Sequence, residues 1–199
     1  LSHMSKEEEF HKALALGLFD YMRKSFSRGF VVSLSGGADS SSCVAMVSEA
    51  LKMARRELGD EVFRKRLAYM DLGDLDTMNS RLLTTVYQET DNSGEATETS
   101  ARELAKSLGA TFYMWNVQKL YDEYTTLAEG SIGRQLDWKT DDITLQNVQA
   151  RLRSPGVWML ANINNALLLT TSNRSEAAVG YATMDGDTSG GLAPLGGID

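Results

Sequence analysis

The stretch Phe30-Val31-Val32-Ser33-Leu34-Ser35-Gly36-Gly37-Ala38-Asp39-Ser40, running directly into Ser41-Ser42-Cys43-Val44-Ala45-Met46, decides how this chain is read. Its opening residues are apolar and β-branched, as a buried strand requires, and the segment from Ser40 towards Leu58 reads as helix. A strand, a glycine turn and a helix N-terminus together present unpaired backbone N–H groups and the positive end of the helix dipole. That is an anion site, most naturally for phosphate. Gly36 and Gly37 let the backbone approach a ligand with no Cβ in the way, and Ser33, Ser35 and Ser40 add hydroxyl donors. Asp39 is the informative residue, because a carboxylate beside bound phosphate is repulsive unless a divalent cation lies between them. The competing reading is structural: Asp39 and Ser40 cap the helix and the glycines make a tight turn.

Working outward, the chain alternates strands with helices of ten or more residues. Phe10, Ala13, Leu14, Leu18, Tyr21 and Met22 predict an amphipathic helix over 6–26, ended by Gly29. Strands are predicted at 30–34, 84–88, 111–117 and 166–171. Helix is predicted from a cap at Asn92 or Ser93 through Leu108, with Gly109 as its stop, and again over 120–127, with 129–133 a loop. A long helix over 143–165 is divided or kinked by Pro155. The 61–83 segment reads as further helix with a loop at 71–76, and 184–199 as a glycine-rich loop. The pattern predicts an α/β fold: a doubly wound, Rossmann-like parallel sheet with helices on both faces, binding ligands at the carboxyl ends of its strands.

Composition narrows the classes. The 199 residues suffice for one domain with a real core, and no segment approaches the roughly 20 apolar residues that span a bilayer. The formal charge is −7, and the densest basic run, Arg55, Arg56, Arg64, Lys65 and Arg66, reads as the solvated face of a helix, so neither nucleic acid nor membrane is an expected partner. Cys43 is the one cysteine, which excludes an internal disulfide and fits a reducing, cytoplasmic setting. Residues 1–4 have no fold logic and read as the remnant of a cleaved expression tag, which puts the folded unit at 5–199.

The loop lacks the lysine of the Walker pattern, and no G-x-G-x-x-G occurs. Its S-G-G-x-D-S resembles the pyrophosphate-binding loop of the ATP pyrophosphatase superfamily, whose members adenylate a substrate by splitting ATP between its α and β phosphates. Within that superfamily the stretch from Leu145 to Gly191, "LQNVQARLRSPGVWMLANINNALLLTTSNRSEAAVGYATMDGDTSGG", resembles the NAD synthetases, above all the synthetase domain of the glutamine-dependent kind. The similarity covers most of the chain, is strongest over 31–43 and 145–191, and is weak over about 55–85.

The resemblance implies a ligase that amidates deamido-NAD with ammonia through an acyl-adenylate, releasing AMP and pyrophosphate. It implies that Ser33, Leu34, Ser35, Gly36, Gly37, Ala38, Asp39, Ser40 and Thr171 contact ATP, that Asp39 and Glu176 hold Mg²⁺, and that Asn147 and Glu176 contact the pyridine dinucleotide. Asp39 and Asp187 are the implied catalytic acids. The residues themselves add that Asn147 and Arg151, four apart, share a helical face suited to a carboxylate, amide or phosphate, with Arg153 on a different face. For Glu176 a capping role beside Ser172 and Ser175 stays open. Members are expected to form homodimers through the helices near residues 147–153, and the apolar run Val157, Trp158, Met159, Leu160 is consistent with that or with burial inside one subunit.

Departures from the family pattern carry information too. Met184 stands near the lysine of the ammonia-using branch, which favours the glutamine-dependent branch. That branch has a glutaminase domain before the synthetase, this sequence is expected to cover the synthetase part alone, and Cys43 reads as a small core residue rather than the glutaminase nucleophile. Family members continue past the point equivalent to Asp199, so a domain truncated at its C-terminus is expected. Two other readings stay open: another ligase with the same loop, such as a GMP synthetase, an asparagine synthetase domain or a tRNA-thiolating enzyme, and a nucleotide-binding module without catalysis.

Overall fold

The computed structural model describes residues 4–198; of the tag-like opening, residues 1–3 lie outside the described residues. Helix α1 (Lys6–Lys24) starts in a capping box, with Ser5 Oγ accepting from the Glu8 N–H and the Glu8 carboxylate accepting from the Ser5 N–H. It ends well before Gly29 and two residues short of the predicted Phe26, because Phe26 turns left-handed (φ 56°) and stacks edge-on against Tyr69. Strand β1 (Phe30–Ser33) leads through the glycine loop into α2 (Ala38–Arg66), which runs past the predicted Leu58 and breaks at Gly59 (φ 74°). The 61–83 segment is therefore mixed: the end of α2, a loop, a 3-10 turn (Leu75–Thr77) and the short α3 (Asn79–Leu82).

Strand β2 (Leu83–Glu89) is followed by α4 (Glu95–Leu108), whose cap is Gly94 rather than Asn92 or Ser93, since Ser93 Oγ is taken by the Thr90 N–H at 2.9 Å. Gly109 closes α4 in the left-handed conformation, as its position predicts. After β3 (Thr111–Asn116), α5 (Gln118–Ile132) is longer than its apolar pattern suggests; Glu129–Ile132, expected to be loop, are helical, and only Gly133 stops the helix. Helices α6 (Asp142–Arg151) and α7 (Arg153–Asn164) break at Leu152, not at Pro155. Pro155 sits in the first turn of α7, where a missing N–H costs nothing. Strand β4 (Leu167–Leu169) and α8 (Arg174–Val179) complete the elements.

All four strands run parallel in the order β3-β2-β1-β4. Phe30, Val32 and Leu83 pack on one face with the buried sides of α1, α2 and α4. Val31, Val86 and Leu168 pack on the other against Val157 and Ala161 of α7. Helices on both faces of a parallel sheet are what the sequence predicts. The chain steps from β1 outward to β3, then returns to place β4 on the other side of β1. Where strand order reverses, adjacent loops diverge and leave a crevice at the carboxyl ends of the strands. Leu192 bridges Leu169 in parallel and so adds a further edge beside β4. Gly190 makes that approach possible, since a Cβ there would lie 2.4 Å from the Thr170 nitrogen. Among the described residues no helix is long and apolar enough to cross a membrane.

Candidate active site

The glycine loop occupies the β1 side of the crevice. Leu34 is fully buried and its N–H bonds to the Val86 carbonyl, which extends the sheet to the edge of the loop. Gly36 takes φ 80°, and a Cβ there would lie 2.2 Å from the Thr97 carbonyl oxygen, so the start of α4 presses directly on the loop. Ser40 Oγ accepts from the Ser35 N–H (3.2 Å) and lies 3.0 Å from Ser35 Oγ, stapling the turn from beneath. The N-cap of α2 is Gly37, which offers no side-chain cap, so neither Asp39 nor Ser40 plays the capping part that the sequence left open. Among the described residues no side chain accepts from the first-turn N–H groups of α2, which leaves them for an anion.

The β4 side carries the acids. Buried Thr170 donates its hydroxyl to the Asp187 carbonyl oxygen (2.7 Å), and the Thr171 N–H reaches the same oxygen at 3.3 Å. Glu176 starts α8 in a capping box with Asn173, not with Ser172: the Asn173 N–H donates to Glu176 Oε2 (3.1 Å) and the Glu176 N–H to Asn173 Oδ1 (2.9 Å). Asp187 keeps much of its surface open to solvent, and its carboxyl is raised above its ordinary value by partial desolvation and then by the nearby charge of Glu176. Asp39, half-exposed in the first turn of α2, stands one helical turn from buried Cys43, whose Sγ lies 3.8 Å from the Thr170 carbonyl oxygen. Burial and then Asp39 push that thiol up to about 12, so Cys43 is an inert core residue, as expected.

Between the two sides lies a cleft of about 230 Å³. Ser33, Leu34 and Ser35 of the loop line it, as do Tyr87 and Gln88 of β2, Thr171, Gly186, Asp187 and Ser189. Asn147 and Arg151 share one face of α6, as their spacing predicts, but lie outside the lining. Asn147 Oδ1 accepts from the Thr183 hydroxyl (3.4 Å) and Arg151 Nε donates to the Met184 carbonyl (2.9 Å), so both brace the loop that carries Asp187.

Arg153 lines the cleft instead. A helical wheel drawn across an unbroken 143–165 helix puts it on another face, and the break at Leu152 gives α7 its own course, on which that face meets the cleft. Gln88 and Ser189 were also missed, being a strand residue and a loop hydroxyl of unremarkable type. Ser189 Oγ lies 2.6 Å from Ser154 Oγ and accepts from the Trp158 indole (2.8 Å), which ties the acid-bearing loop to α7.

Among the described residues no three of His, Cys, Asp and Glu gather into a metal cluster. Asp39 follows β1 and Glu176 follows the neighbouring β4; neither lines the cleft, and both are hard oxygen donors of the kind Mg²⁺ takes together with phosphate oxygens.

A 3-2-1-4 parallel sheet with a glycine loop at its switch point and Asp187 across the cleft has the layout of an α/β nucleotide-binding domain. The NAD synthase family model matches residues 10–199, and the chain belongs to that family. It is 35% identical over 191 residues to the glutamine-dependent NAD(+) synthetase of Thermotoga maritima, and 32% identical over 190 residues to that of Aquifex aeolicus, covering 96% of this chain and 28% of each relative. Among solved structures it resembles a glutamine-dependent NAD(+) synthetase from Cytophaga hutchinsonii (53% identity, TM-score 0.93, 98% of this chain and 36% of that one). It also resembles one from Acinetobacter baumannii in complex with ADP (25% identity, TM-score 0.79, 100% of this chain and 32% of that one). The chain thus spans about a third of the length of the relatives it matches.

Proposed function

We propose that this chain is the ligase domain of an NAD⁺ synthetase, amidating deamido-NAD with ammonia at the expense of ATP. The observation that carries the reading is the phosphate loop at the switch point facing Asp187 across one cleft, in a member of the NAD synthase family. The ADP held by the Acinetobacter baumannii relative supports an adenine nucleotide as the occupant.

A carboxylate is a poor acyl donor, so the nicotinate carboxylate of deamido-NAD first attacks the α-phosphate of ATP in line. The bond to the β-phosphate breaks, pyrophosphate leaves and an acyl-adenylate remains. Ammonia then attacks the acyl carbon and AMP departs. The 33–40 loop receives the pyrophosphate as its charge grows; pre-aimed N–H donors of this kind are each worth about 3 kcal/mol in a transition state. Thr171 fixes the nucleotide. Asp39 and Glu176 would hold Mg²⁺, which would supply positive charge to offset that of the phosphates. Asn147 and Arg151, which grip residues 183 and 184, orient the dinucleotide together with Glu176. Asp187, with its raised pKa, stands where it can handle a proton during amide formation.

The folded unit is residues 5–199, and in the longer protein a glutaminase domain supplies the ammonia. A homodimer through α6 and α7, near residues 147–153, accounts for the exposed Ile143, Met159 and Ile163, and sedimentation of a monomer at working concentration would refute it. A cytoplasmic setting fits the lone buried thiol.

The test is NAD⁺ formation from deamido-NAD, Mg·ATP and an ammonium salt, with AMP and pyrophosphate counted alongside. One-to-one-to-one products establish the reaction. ATP binding without product under any substrate refutes a self-sufficient ligase and leaves a nucleotide-binding module of a larger enzyme.

A further inference from the structure

Arg153 is the one cation and Asp187 the one anion among the described residues that line the cleft. The glycine loop brings no lysine or arginine to the phosphates, and residue 184 of the acid-bearing loop is methionine. Positive charge inside the cleft therefore comes from α7.

The guanidinium is held on two sides by neutral partners. Nε donates to the Gln88 carbonyl (3.1 Å) and Nη1 to the Gln149 carbonyl (3.2 Å), while the Gln88 amide returns a bond to the Arg153 carbonyl (2.9 Å). None of the ion pairs among the described residues involves Arg153, and Nη2 has no protein acceptor among them. Asp187 is near enough to attract it yet does not pair with it. A desolvated cation without a counter-ion is costly, and the cost is relieved when a ligand brings the anion. Carbonyls on Nε and Nη1 fix the plane of the guanidinium and leave Nη2 as its free donor, so little side-chain freedom is lost on binding.

We propose that Arg153 is the anion anchor of the cleft, its free Nη2 taking an anionic oxygen of the bound reactants: a phosphoryl oxygen of ATP or the pyridine carboxylate of deamido-NAD. The assignment rests on the NAD synthetase reading above. Placed there, the fork holds one reactant against the charge of Asp187 and balances negative charge that the loop's neutral N–H groups meet only as dipoles. Its competitor is a purely structural tie, in which Arg153 joins α6 and α7 to the end of β2 and touches no ligand.

The test is calorimetric titration of ATP and of deamido-NAD, separately, into the unaltered chain, Arg153→Gln and Arg153→Lys, beside thermal unfolding of all three without ligand. Glutamine keeps an amide donor for the carbonyls but no charge; lysine keeps the charge but no fork. Arg153→Gln is expected to weaken one ligand by about 10- to 100-fold. Arg153→Lys should recover part of that, and affinity should not follow melting temperature. The ligand that weakens identifies the oxygen. Unchanged affinity for both ligands, or losses that follow melting temperature with Arg153→Lys no better than Arg153→Gln, overturns the anchor and leaves the functional reading standing. If the unaltered chain binds neither ligand, the functional reading falls, and the anchor with it.

Discussion

The Thr170 hydroxyl donates a 2.7 Å hydrogen bond to the main-chain oxygen of Asp187, fastening the end of β4 to the loop that carries the acid. The carbonyl has a second, longer donor in the Thr171 N–H (3.3 Å), so losing the hydroxyl weakens the joint without orphaning the oxygen. Thr170→Val, nearly isosteric, should cost about 1–2 kcal/mol in urea unfolding. Thr170→Ser should stay close to the parent. Equal stability of the valine variant would mean that the loop is held elsewhere, by Ser154 and Trp158 through Ser189.

The two loop glycines are not equivalent. Gly36 has φ 80° and meets the Thr97 carbonyl oxygen at 2.2 Å from a would-be Cβ, whereas Gly37 has an ordinary φ of −81° and meets only the Ser35 hydroxyl at 3.3 Å. The backbone strain alone puts Gly36→Ala at about 1–3 kcal/mol, and the collision with backbone adds to it. Gly36→Ala should therefore lower the melting temperature and abolish nucleotide binding, while Gly37→Ala should fold normally and bind ATP with a modest loss. Similar behaviour of the two variants would contradict the close packing of α4 on the loop.

Much of this was legible in the sequence because local signals and tertiary packing agree there. The run 30–40 combines an apolar strand, obligatory glycines and a helix start, and each feature appears where its chemistry places it. The boundaries that differ have specific causes. Ser93 is a good capping residue but is used to close a turn on Thr90, leaving Gly94 at the cap. Pro155 is a strong punctuator, yet a first-turn proline does not break a helix; the break falls at Leu152, which carries no local signal. Arg153, just past that break, lines the cleft, and Arg151, just before it, does not. Arg151 instead secures Met184, a contact between residues 33 positions apart that no local pattern encodes.

Glu176 combines two roles that one substitution can separate. Its carboxylate closes the capping box of α8 and is the proposed partner of Asp39 on Mg²⁺. Glutamine also serves at that capping position, so Glu176→Gln should leave the melting temperature near that of the parent while removing the charge. Glu176→Ala loses both, at about 1 kcal/mol for the cap. Calorimetric titration of ATP with and without Mg²⁺ should show the metal's enhancement of affinity reduced in both variants and in Asp39→Asn. If Glu176→Gln keeps the full enhancement, Glu176 is a capping residue and nothing more.

Asp187 supplies the pH test. Its carboxyl is raised above the ordinary 3.8, first by partial desolvation and then by Glu176, against weaker opposition from backbone N–H groups and Arg153; because the residue stays largely open to solvent, the effect on stability is small. A raised acid binds its proton more tightly in the folded state. Its stabilising contribution is therefore complete below the unfolded pKa and is lost as pH rises through the folded one. At neutral pH the ionised Asp187 is consequently a burden on the fold, and Asp187→Asn should melt at or above the parent's temperature there. The advantage should shrink as pH falls, and vanish below about pH 4, where both side chains are neutral. The same variant should lose NAD⁺ formation, since asparagine cannot exchange the proton. A fold that tolerates this cost at its own carboxylate holds the charge for a ligand, whereas a less stable Asp187→Asn at neutral pH would show that the acid is kept for packing.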